Sequence, residues 1–117
     1  MRCFRQGDDA SPPTSWTEYY IHRDYAAIGR LLQRHAGPVF PLIEDMFGVR
    51  IVEVQQQISA TLVSPALAGT LKVAPGSAAL EVRRMFKTAD GQIAQVTINT
   101  DPASRVTHSM TMRRGNA

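Results

Sequence analysis

The sequence predicts an α+β fold: a mostly antiparallel sheet with two or three helices packed on one face. Three observations lead there. The chain holds 117 residues, room for one domain over 1–117. Its apolar residues alternate with period two in several short runs. Most of those runs are joined by reversal signals such as Asp90-Gly91, which favour hairpins over parallel crossovers.

The elements follow in order. Residues 1–7 start as a short strand, and residues 8–15, with Pro12 and Pro13, are loop chemistry. Ser15 to Ile21, rich in aromatic and β-branched residues, reads as a strand. His22 to Ala36 reads as an amphipathic helix with Tyr25, Ile28, Leu31, Leu32 and His35 at helical spacing, stopped by Gly37-Pro38. A second helix spans Val39 to Phe47, with Pro41 in its first turn and Gly48 after its end. Its buried side is expected to carry Phe40, Ile43, Met46 and Phe47. Residues 49–63 give the longest strand signal. Val52, Val54, Ile58, Ala60 and Leu62 share the face meant for the core, with Gln56 as the polar exception, so the strand is expected to be half-buried. A short helix from Pro65 to Leu71 and a turn at Ala74-Pro75-Gly76 lead into a hairpin. Its first strand puts Leu80, Val82, Arg84 and Phe86 on one face, and its return strand runs from Ile93 to about Asn99. Residues 101–104 read as a loop and Thr107 to Arg113 as a last strand.

Composition excludes several classes. Hydrophobic residues make up 44% and charged residues 20%, ordinary for a globular chain. No apolar stretch approaches the ~20 residues of a membrane span, and no secretion signal opens the chain, so a cytoplasmic location is expected. Cys3 is the lone cysteine, which precludes an internal disulfide framework and fits a reducing compartment. Net charge is +3 with a pI near 9.5. The thirteen basic residues are nevertheless dispersed, pairing only at Arg83-Arg84 and Arg113-Arg114, unlike the stripe that tracks a phosphate backbone.

Catalytic and metal templates fail as well. The sequence has no glycine-rich phosphate loop, no His-Glu-x-x-His and no cysteine pair. His22, His35 and His108 lack carboxylate or cysteine neighbours at ligand spacing, so neither a metal nor an organic cofactor is expected. Arg84 stands apart because it interrupts an apolar face. A guanidinium there must snorkel, pair with a carboxylate, or face a cavity that admits an anion. On the return strand Ile93, Gln95, Thr97 and Asn99 share one face by alternation. Such a polar row is either wet or the lining of a ligand pocket. Arg5 offers a second cation, while Glu18 and Tyr20, on one face of their strand, offer an acceptor and a hydroxyl.

The order of these pieces resembles the effector-binding (UTRA) domain of the HutC branch of the GntR transcription regulators. The resemblance runs from Arg2 to Arg114. It is carried by Arg5 with the Asp8/Asp9–Pro12/Pro13 loop, TEYYI, YAAIGRLL, LIEDMFGVRIVEVQQQISA, ALAGTLKVAPGSAALEVRRMF and DGQIAQVTINTDPASRVTHSMTMRR. The turn Leu-x-Val-x-x-Gly-Ser, Leu71 to Ser77, is the most specific segment. The resemblance implies a chorismate-lyase-like fold and a small, often anionic effector: a sugar phosphate, an amino acid or a related acid. It makes Arg5 an anion contact and puts Gln95 where the family's pattern has a glutamate, with Thr97 and Asn99 also reaching the site. It further implies a homodimer that touches DNA through a winged helix; that winged helix and the domain's first strands are expected to be missing here. Val106 and His108 stand where the pattern has an aromatic residue.

The sequence therefore reads as an effector-binding and dimerisation domain rather than an enzyme. Arg5 and Arg84 would carry an anionic metabolite, and Gln95, Thr97 and Asn99 would orient it, with Glu18 and Tyr20 nearby. Two alternatives are a chorismate-lyase-like enzyme, with Glu18 as its acid, and a ligand-free dimerisation module.

Overall fold

The computed structural model describes residues 2–5 as backbone, together with residues 15–32 and 37–115. Five strands form one antiparallel sheet in the order β1-β2-β5-β4-β3. They are β1 (Arg2–Arg5), β2 (Trp16–Ile21), β3 (Ile51–Leu62), β4 (Ala78–Thr88) and β5 (Ile93–Pro102). Between β2 and β3 come a 3-10 turn (Arg23–Ile28), α1 (Gly29–Leu32) and α2 (Phe40–Phe47). A third helix, α3 (Pro65–Leu71), joins β3 to β4. The α+β class and the antiparallel sheet are thus as the sequence predicts.

Local chemistry sets the boundaries. His22 caps the 3-10 turn, its ring accepting from the Asp24 amide. Pro41 sits in the first turn of α2, and Gly48 ends the helix in a left-handed conformation at φ 64° that glycine adopts without steric cost. Ser64 caps α3, accepting from the Leu67 amide. The Arg105 guanidinium donates to the carbonyls of Leu71 and Lys72 at the other end of that helix.

Two apolar clusters lie at opposite ends of the sheet. Ile21, Tyr25, Ile28, Val39, Ile43 and Ala94 form the first, and Phe40 stacks on Phe86 beside it at 5.2 Å between ring centroids. Val63, Ala68, Leu71 and Ala79 form the second, with Trp16 and Leu67 against them. Among the described residues no helix is long and apolar enough to cross a membrane.

Several expectations require correction. The first helix begins as a 3-10 turn and Leu31 is exposed; Gln33 to Ala36, His35 included, lie outside the described residues, as does the 8–14 loop. Met46 faces solvent, because Ile43 and not Met46 is the residue α2 buries. β3 is exposed on both faces over residues 52–60 instead of half-buried. It is an edge strand, paired among the described residues with β4 alone. β5 continues through Asp101 and Pro102, where a loop was expected. Residues 106–115 form no strand, and Met110 and Met112 are exposed. Alternation supplies a strand's faces but not its partner, and the five strands pair among themselves.

Candidate functional site

β5 is the central strand, flanked by β2 and β4, so its helix-side face is the place where apolar residues are expected. That face carries polar ones. Residues directly opposite across antiparallel strands share a face, and the register sets out four rows. Ile21, Gln95, Phe86 and Val54 make the first; Tyr19, Thr97, Arg84 and Gln56 the second. Thr17, Asn99, Val82 and Ile58 make the third, and Asp101 with Leu80 and Ala60 the fourth. The row starts beside the first apolar cluster, whereas Ala79 and Trp16 of the second stand on the other face, in the rows of Pro102 and Thr100.

Burial makes the row unusual. Gln95 is 2%, Thr97 7% and Asp101 8% exposed, although Val82 and Phe86 alongside are as buried as core residues. Gln95 donates through Nε2 to Thr97 Oγ1 at 2.8 Å. Gln95 Oε1 and Asn99 Oδ1 are buried without a hydrogen-bond partner among the described residues. An unpaired buried carbonyl costs about 1–3 kcal/mol, so such groups mark places where something else completes the set. Arg84 projects from β4 beside Thr97 and donates through Nε to Gln56 Oε1 at 2.7 Å, leaving its two terminal nitrogens to serve a further acceptor. Asp101 lies 3.8 Å from the His108 imidazole. Burial pushes its carboxyl above the usual carboxylate range, against the opposing pull of His108 and Arg84.

The predicted residues divide into two groups. Arg84, Gln95, Thr97 and Asn99 come together on one face. Arg5 takes the register position opposite Thr17, in the row of Asn99; its side chain lies outside the described residues. Glu18 and Tyr20 do not join them. Glu18 pairs with Ile98 and Tyr20 with Val96, which places both on the other face, where the Tyr20 hydroxyl donates to Glu18 at 2.7 Å. Ile93 also leaves the row. A bulge sets Phe86 opposite Gln95 but Lys87 opposite Ile93, so Ala94 turns into the core and Ile93 turns out.

Two members were missed. Gln56 was visible as the polar exception on β3, and only the register shows that it faces Arg84. Asp101 continues the period-two series from Gln95, but Asp-Pro reads as a loop and hides it. Among the described residues no group of three or more His, Cys, Asp or Glu could hold a metal ion.

The family model of the UTRA domain matches residues 13–107. Solved structures agree in fold. The ligand-binding domain of a protein assigned to the GntR-family transcriptional regulators, from Bordetella bronchiseptica, is 23% identical with a TM-score of 0.80, over 96% of this chain and 73% of that one. A GntR-family transcriptional regulator from Enterococcus faecalis V583 gives 19% and 0.80, over 95% and 79%. The effector domain of PhnF from Mycobacterium smegmatis gives 12% and 0.82, over 97% and 69%. No curated protein matches the chain.

Proposed function

Because the chain belongs to the UTRA domain family, whose model matches residues 13–107, we propose that it is the small-molecule effector-binding and dimerisation domain of a bacterial GntR-type regulator of the HutC branch, working in the cytoplasm. The observation that carries this reading is the polar row Gln95, Thr97 and Asn99 on the covered face of the central strand. A buried face of a central strand is otherwise apolar, and a few placed polar groups in apolar surroundings are how small ligands are oriented. Arg84 supplies the cation for an acidic group on the effector, with Arg5 in an adjoining row as a second. Operator DNA is contacted through a winged helix, not through these residues.

The dimer forms edge to edge through β3. Among the described residues nothing pairs with the outer edge of its twelve residues, and it carries an exposed apolar series, Val52, Val54, Ile58 and Leu62, an arrangement that invites strand pairing. A twofold axis through Gln56 would set Val54 against Ile58 of the second copy and Glu53 against Ser59. No like charges would then meet, and the contact is self-complementary as a twofold interface must be. The effector biases how the two copies sit only by its different affinity for the two arrangements.

The lyase reading loses its acid, since Glu18 stands on the face opposite Arg84. A thermal-shift screen against sugar phosphates, amino acids and small organic acids tests the proposal. A ligand at 100 times its Kd stabilises the folded state by about 2.7 kcal/mol, a rise of roughly ten degrees for a domain of this size. A selective rise that is lost in Arg84→Gln supports it. No shift from any member of the panel overturns it in favour of a ligand-free dimerisation module.

A further inference from the structure

We infer that Asp101 is a binding residue of this site and that, with Arg84, it selects a zwitterion: a ligand bearing an ammonium group and a carboxylate several bonds apart. This rests on the effector-binding reading above and narrows its ligand class.

Gln95 Oε1 and Asn99 Oδ1 are buried acceptors without a donor among the described residues. Asp101, with a side chain only 11% exposed, adds a carboxylate on the same face, one alternation beyond Asn99. His108 approaches it at 3.8 Å, beyond hydrogen-bond reach. Asn99 Oδ1 and the Asp101 carboxylate thus make one end of the row rich in acceptors and negative, asking for N–H or O–H donors, while Gln95 Oε1 stands at the other end, beyond Arg84. An ammonium group carries three donors and no acceptor. A hydroxyl would satisfy Asn99 but would leave the Asp101 charge with only the longer His108 contact beside it. A purely anionic ligand would meet that charge head-on.

Arg84 sets the opposite requirement. Its Nε is engaged by Gln56, and its terminal nitrogens present the forked geometry that matches a carboxylate. Thr97, opposite Arg84, is four residues from Asp101, about 13 Å of strand. The Nε bond to Gln56 draws the Arg84 guanidinium toward β3, which keeps the two charges apart. The guanidinium's field is already felt at the Asp101 carboxyl. The gap suits charges separated by a short chain, not the adjacent charges of glycine. Burial outweighs His108 and Arg84 in raising the Asp101 carboxyl, and carboxyls perturbed in this way cluster at functional sites.

The test uses three probes of matched length on the whole chain: 5-aminopentanoate, glutarate and 1,5-diaminopentane. Each is titrated at millimolar concentration while the thermal midpoint is read. The expected result is a rise of several degrees with 5-aminopentanoate and little with the dianion or the dication. Asp101→Asn and Arg84→Gln should each abolish that rise, and Asp101→Asn without ligand should melt no lower than the parent at neutral pH. Glutarate shifting the midpoint as much as 5-aminopentanoate, or Asp101→Asn keeping the response, overturns the zwitterion assignment while the effector-binding reading stands. A shift from sugar phosphates alone does the same. Silence from these probes and from the wider screen overturns both.

Discussion

The Tyr25 hydroxyl donates to the Gln92 side-chain carbonyl at 2.6 Å, joining the 3-10 turn after β2 to the β4–β5 hairpin across 67 positions of sequence. Gln92 Nε2 turns to His22 Nε2 at 3.3 Å and to Asp24 at 3.4 Å. The backbone reinforces the same junction, with the His22 amide donating to the Ala94 carbonyl at 2.9 Å. Burial, followed by the nearby Asp90 and Asp24 carboxylates, pushes the Tyr25 phenol up, so it remains a donor throughout the useful pH range. Tyr25→Phe should cost about 1 kcal/mol. Gln92→Ala should cost a similar amount, and the double variant less than the sum, because both singles break one shared bond. Urea midpoints of the four proteins read this directly, and strict additivity would show that the bond contributes nothing.

The phase of α2 gives a sharper contrast. Ile43 is fully buried in the first apolar cluster, whereas Met46 is 49% exposed. Ile43→Ala should cost about 2–5 kcal/mol through lost burial and the cavity left behind, a large share of the ~5–15 kcal/mol that holds a small domain together. Met46→Ala should stay within about 0.5 kcal/mol. Equal losses would mean that the helix is rotated from the orientation described.

What the sequence made legible and what it hid have separate physical causes. Period-two alternation, the Asp90-Gly91 turn and the Ser64 and Gly48 caps act locally, so β2, β3, α2, α3 and the start of β5 were readable to within a residue or two. Arg84, Gln95, Thr97 and Asn99 were placed on common faces for the same reason. Relations between strands were not readable. The order that makes β5 central, the bulge that expels Ile93, and the choice of face for Glu18 and Tyr20 depend on pairing register, which no single strand encodes. Exposure of β3 escaped notice because an apolar row looks the same whether it faces a helix or a second copy.

Asp101 makes stability depend on pH in a definite direction. Burial raises its folded-state pKa above the ordinary carboxylate value, outweighing the lowering by His108 and Arg84. Through that window the folded chain holds its proton more tightly than the unfolded chain. Its favourable contribution is therefore complete below the ordinary value, about 3.9, and is lost as pH rises through the raised folded-state value. Asp101→Asn, which cannot ionise, should be at least as stable as the parent at pH 7 and should lose that advantage below about pH 4. Urea unfolding at both pH values decides it. A variant markedly weaker at pH 7 would mean that the carboxylate is a structural anchor.

Ile58 is 45% exposed on β3 and pairs with Val82 on its inner side. In the proposed dimer it would meet Val54 of the second copy, so Ile58→Lys places a charge in the centre of that contact on both copies. A lysine on an edge strand is also a standard defence against pairing. Because the position is half-exposed in a single chain, the substitution should change the monomer's own stability by no more than about 1 kcal/mol. Sedimentation velocity should show the parent as a dimer at micromolar concentration and Ile58→Lys as a folded monomer, with its circular dichroism unchanged. Glu53→Gln, at a position outside the apolar series and tied to Lys87 at 3.4 Å, should leave the dimer intact. A parent that sediments as a monomer, or an Ile58→Lys protein that remains a dimer, would move the interface away from β3.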